Sequence, residues 1–126
     1  MATGNSKARR PSPVRAVVFD EAHLRHYTMQ DQMLAVEVLD LFLTQMPATI
    51  ELIATAATAS DWTYATHALK GAAASVGACR LQQLAADLEG MEFSGNEQAR
   101  RLRTQELKAA AVEFRRAARQ AFPELA

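Results

Sequence analysis

Apolar residues in this chain recur every three or four positions over most of its length, and strict alternation is almost absent. That is the pattern of amphipathic helices rather than strands. The longest stretch places Leu34, Val38, Leu41, Phe42, Met46, Ile50 and Ile53 at helical spacing, in a helix running from about Asp31 to Ser60. Around Leu39 to Leu43 it is apolar on most sides, which predicts cover from more than one neighbour. Pro47 lies inside the pattern and is expected to kink or split the helix, because its ring removes one backbone bond and crowds the preceding turn. Upstream, Asp20 can cap a short helix reaching about Tyr27, with Leu24 and Tyr27 turned inward. Thr28 to Asp31 has capping-box spacing and would open the long helix.

Ser60 and Asp61 offer a cap to the next helix, whose stripe is Trp62, Ala65, Thr66, Leu69, Ala72, Ala73 and Val76. Gly77 ends it at a left-handed position. A fourth helix carries Leu81, Leu84, Ala85 and Leu88 on one face. Ser94 to Glu97 forms a second capping-box pattern before the last helix, lined by Leu107, Ala110, Phe114, Ala117, Ala118 and Ala121, with Pro123 beyond its end. Short connections favour antiparallel neighbours. The expected fold is all-α, an up-down-up-down antiparallel four-helix bundle with a short additional N-terminal helix.

Composition narrows this picture. The 126 residues suit one domain. Residues 1–16 hold Lys7, Arg9, Arg10 and Arg15 with no acid and read as a flexible basic tail. The domain is expected over 17–122, with 123–126 as a C-terminal end. Lys plus Arg number 14, as do Asp plus Glu, so no overall field favours nucleic acid or membrane. No apolar run approaches the ~20 residues of a membrane span. The N-terminus lacks the apolar stretch of a secretory signal. The lone Cys79 excludes an internal disulfide and points to a reducing, cytoplasmic setting. A monomer is expected, and Met1 fits a free-standing protein.

Candidate chemistry centres on His67. It lies two residues from Leu69, about 200° around the helix axis, and so faces away from the core. Tyr64, Lys70, Gly71 and Ala74 lie three, four or seven residues from it, on the same outward face. A solvated face normally carries long charged side chains; this one is bare. Gly71 costs about 1 kcal/mol relative to alanine in mid-helix, a loss that makes sense where another protein's backbone must come close. An exposed imidazole keeps a neutral fraction near neutral pH and can act as a nucleophile. Lys70 could place positive charge beside a phosphoryl group on the ring.

Other residues offer less. His23 and His26, near Asp20 and Glu21, lack the further ligands of a zinc pattern. Arg100, Arg101, Arg103, Lys108, Arg115, Arg116 and Arg119 make the last helix basic. Interspersed acids and the lack of an interleaved aromatic set mark that helix as a solvated face, not a nucleic-acid groove. Cys79 opens the fourth helix, where a thiol pKa can fall, but reads as a packing residue. Met29, Met33, Met46 and Met91 read as core filler. No Asp or Glu pairs obviously with a histidine.

The stretch from His67 to Glu89, HALKGAAASVGACRLQQLAADLE, resembles the signature of histidine-containing phosphotransfer (HPt) domains. The matching positions are His67, Leu69, Lys70, Gly71, Ala72, Ala73, Val76, Gly77, Leu81, Leu88 and Glu89, and the resemblance extends over roughly residues 20 to 120. It implies that His67 accepts a phosphoryl group on Nε2 from a phospho-aspartate in a receiver domain and passes it to another receiver. Partners would be receiver domains of response regulators and of a hybrid histidine kinase. Lys70 would hold the phosphoryl, while Tyr64, Gly71, Ala74 and Gly77 would meet the partner. No kinase activity of its own is implied, in keeping with the lack of a glycine-rich nucleotide loop. No cofactor is expected, and any Mg²⁺ would belong to the receiver. One alternative is a helical-bundle interaction module that is never phosphorylated. Another, the dimerisation helices of a histidine kinase, calls for an ATP domain that these residues do not supply.

Overall fold

The computed structural model describes residues 15–125, and the basic tail expected over 1–16 lies outside them except for its last two residues. Ala16 is already tied down there, its amide donating to Gln83 Oε1 at 3.0 Å. Among the described residues there are five helices and no strand. They are α1 (Glu21–Tyr27), α2 (Gln32–Ala54), α3 (Ala59–Val76), α4 (Cys79–Glu89) and α5 (Glu97–Ala121). Each of α2 to α5 packs on the next, and α5 returns to α2, closing a four-helix bundle; α1 lies against α2 and α3.

The caps explain the boundaries. Asp20 opens α1 as expected, accepting from the His23 amide at 3.0 Å. Thr28 does not open α2. It is the buried C-cap of α1, with its hydroxyl donating back to Leu24 O at 2.9 Å. Met29 and Gln30 turn the chain at positive φ, and Asp31 then caps α2 through the Leu34 amide. Likewise α2 stops at Ala54, not Ser60, and Thr58 caps α3 by accepting from the Asp61 amide at 3.1 Å. Ser60 and Asp61 fall in its first turn. The Ser94–Glu97 box does not form: Asn96 is the N-cap, makes no side-chain cap bond, and donates instead to Glu92 O.

Pro47 does not split α2, which stays helical on both sides of it. Proline has no amide to give the carbonyl one turn back, so Leu43 O loses its helical donor. Arg115 of α5 supplies another, its guanidinium reaching Leu43 O at 3.0 Å. A helix breaker thus becomes an inter-helix tie.

The core joins Leu39, Phe42, Leu43, Met46, Ile50 and Ile53 of α2 to Trp62, Leu69, Leu81, Leu88, Leu107 and Phe114. Phe19 and Phe42 meet Phe114 edge to face, with centroids 5.3 and 5.5 Å away, and Phe122 closes the end fully buried. Several apolar residues expected inside lie outside: Tyr27, Met29, Met33, Leu41 and Ala72 are exposed. Buried positions on α2 follow one stripe, so Leu41, roughly 145° around the axis from its centre, is left exposed. By length and composition alone α2, with a mean hydropathy of 1.4 over one 18-residue window, is long and apolar enough to cross a membrane, a test that core helices also pass. In this fold its apolar stripe is spent on α3 and α5 instead.

Candidate functional site

α3 carries the site because its inner stripe is fixed. Trp62, Ala65, Thr66, Leu69, Ala73 and Val76 are buried, and the Trp62 indole N–H donates to Leu88 O of α4 at 3.0 Å. That bond sets the register between α3 and the last turn of α4. With Leu69 inside, His67 must point out, and 69% of its side chain is exposed.

The imidazole is not unsupported. Its Nδ1 lies 2.9 Å from Glu89 Oε2, and Lys70 Nζ lies 2.6 Å from the other oxygen of the same carboxylate. Glu89 is the last residue of α4. A carboxylate there sits at the negative end of the helix dipole, an unfavourable place without cations nearby. Lys70 and His67 answer that need. The carboxyl of Glu89 is held below its usual range, first by the Lys70 hydrogen bond and, against the opposing effect of burial, also by His67.

An ionised carboxylate only accepts hydrogen bonds. The Nδ1 facing it therefore donates, and in the neutral ring Nε2 keeps a lone pair directed away from Glu89. The contact thus favours the ring tautomer whose unprotonated nitrogen faces solvent.

Around it the surface is open. A Cβ built on Gly71 would meet nothing within 4 Å. Tyr64 is 73% exposed and Ala74 half-buried. Gly77 is different and corrects its assignment to the partner surface. It is buried, with φ +80°, and a Cβ on it would lie 2.5 Å from Asp20 O. It ends α3 and lets the chain before α1 bind back, the Asp20 amide donating to Gly77 O at 2.8 Å. Cys79 is no activated thiol: burial first, then the Asp20 carboxylate, pushes it up.

On the outer surfaces of α2 and α3, exposed apolar residues recur at helical spacing. Leu41, Ala48 and Leu52 recur at i, i+7 and i+11 on α2, and Tyr64, Ala68 and Ala72 at i, i+4 and i+8 on α3, all exposed. Leu52 and Tyr64 line a shared cleft. Among the described residues no group of three His, Cys, Asp or Glu side chains is placed to hold a metal ion.

The residue that sequence reasoning missed is Glu89, which was seen as the end of a motif and not as a histidine partner. Its signal was an acid at a helix C-terminus, where the dipole disfavours one.

Residues 37–121 match the family model of the Hpt domain, and the chain belongs to that family. Its members are histidine phosphotransfer domains of phosphorelays, phosphocarriers rather than enzymes. Comparisons with curated proteins and with solved structures gave no match.

Proposed function

We propose that His67 is the phosphoryl acceptor of a multistep phosphorelay. The observation that carries this reading is the exposed ring whose Nδ1 is held by Glu89. The Nε2 lone pair attacks the phosphorus of an aspartyl phosphate in a receiver domain. A P–N bond forms, the P–O bond to the aspartyl carboxylate breaks, and that carboxylate leaves with the bonding pair. The ring proton stays on Nδ1, where Glu89 offsets the positive charge the ring gains. Lys70, one turn along from His67, turns from Glu89 toward the phosphoryl oxygens. The reverse sequence hands the group to a second receiver.

The bare face formed by α2 and α3 is the docking surface, with Gly71 and Ala74 allowing close approach and Tyr64 and Leu52 giving apolar contact. Mg²⁺ belongs to the receiver's own acidic cluster. The protein acts as a cytoplasmic monomer, partners with receivers of response regulators and of a hybrid histidine kinase, and has no kinase activity itself.

The test is incubation with a phosphorylated receiver. The protein should acquire an acid-labile, alkali-stable label that His67→Gln abolishes. A label of the same kind on the His67→Gln variant would overturn the assignment.

A further inference from the structure

A second cleft opens at the Trp62 end of the bundle, between the end of α2, the turn into α3, Phe93 and the first turns of α5. Its volume is about 420 Å³, within the ~300–1,000 Å³ usual for small-molecule sites. Ala54 and Ala57 leave the space, Trp62 and Phe93 give it an aromatic wall, and Arg100 and Lys108 bring charge.

Arg100 is the unusual member. Its guanidinium carbon lies 3.9 Å from the centroid of Phe93 and 5.3 Å from that of Trp62, so the rings hold and partly desolvate it. Its Nε is shielded from solvent and has no acceptor. Among the described residues no carboxylate pairs with Arg100 or Lys108. Glu97, the acid that lines the cleft, is engaged by Arg101 at 2.8 Å. Arg100 as a whole is half-buried, so the guanidinium is held against the two rings while its outer edge stays open to the cleft, where there is room for an anion.

We propose that this cleft binds a small organic anion, a phosphate monoester or a carboxylate. Its charged group pairs with Arg100 and Lys108, and its apolar body lies over Ala54, Ala57 and the Phe93 ring. The guanidinium is oriented in advance by cation–π contact, so little ordering is needed on binding. The cleft stands apart from His67 but is tied to it: the Trp62 indole that walls it also bonds Leu88 O, next to Glu89.

Trp62 is the chain's one tryptophan, so its indole N–H gives a single resonance that reports directly on the cleft. The full chain is titrated with butyl phosphate and with butyrate at constant ionic strength, inorganic phosphate serving as the head-group probe. A saturable shift of the indole resonance is expected with at least one of the two organic anions, and the tighter one identifies the head group. Arg100→Gln should weaken binding by about tenfold, in line with loss of a charge-assisted contact. Lys108→Gln, an exposed change, should weaken it by a smaller factor and serves if the first variant melts early. No saturable shift at millimolar concentration with either organic anion would overturn the proposal. So would unchanged affinity in a folded Arg100→Gln, or in Lys108→Gln where Arg100→Gln melts early. Inorganic phosphate binding as tightly as butyl phosphate would overturn the organic part of the assignment. No phosphoryl transfer enters the readout, so the outcome is independent of the role given to His67.

Discussion

Replacing Glu89 by glutamine tests whether the carboxylate does more than pair charges. The substitution keeps shape and length but brings an amide that can donate as well as accept. Its NH₂ can then face an unprotonated Nδ1, which puts the ring proton on Nε2, the atom that must attack. A hydrogen bond to a charged acceptor contributes about 1.5–3 kcal/mol. His67 is 69% exposed and Glu89 22%, so solvent screening brings the usable preference down to about 1–1.5 kcal/mol. That corresponds to a loss of about tenfold in the rate of phosphoryl acceptance. Single-turnover transfer from a phosphorylated receiver measures the rate, and nitrogen-15 shifts of the ring measure the tautomer. A Glu89→Gln variant that accepts phosphoryl at the original rate with an unchanged tautomer would refute the reasoning. The same variant has a stability signature. The folded carboxyl lies below its usual range, so its contribution is present above the unfolded value near ~4.3 and is lost as pH falls through the folded one. Glu89→Gln should lack that component of acid-side destabilisation.

Other expectations are more local. Gly71→Ala should raise helix stability by up to about 1 kcal/mol, since its Cβ meets nothing. Gly71→Lys should likewise raise helix stability slightly yet slow transfer from a receiver, and equal transfer rates would contradict the cleared-face account. Gly77→Ala meets Asp20 O at 2.5 Å with φ at +80° and should cost at least about 2 kcal/mol in urea unfolding. Arg115→Ala removes the donor to the part-buried Leu43 carbonyl and should cost about 1–2 kcal/mol. In a Pro47→Ala background, where the helix regains its own donor, the Arg115→Ala cost should shrink markedly in a double-mutant cycle.

The helices and the outward direction of His67 were legible because both rest on phase. Once Leu69 is inside, an imidazole two residues away has nowhere else to go. The starts of helices were less legible. Thr28, Ser60 and Ser94 each sit at cap spacing, but neighbours compete for the same amides, and Asp31, Thr58 and Asn96 hold those places. Apolarity alone also misplaced Leu41, Met29 and Met33, since it does not say which faces find a partner. Glu89 could not be placed beside His67 without the distance between α3 and α4, which the Trp62–Leu88 bond fixes. Gly77 was rightly read as a helix end, but its burial depends on the N-terminal segment folding back over it. Pro47 was rightly recognised as a fault in the backbone ladder, but its repair comes from a residue 72 positions away from the stranded carbonyl.

The stretch shared with the family begins at residue 37, yet the fold begins to close well before it. Asp20 latches onto Gly77, Phe19 meets Phe114 edge to face, and Leu24 is wholly enclosed. A fragment trimmed to the shared stretch would lose this clasp, uncovering the hinge between the helix that bears the histidine and the one that bears its carboxylate. The alignment of the reactive ring is therefore guarded from outside the shared stretch.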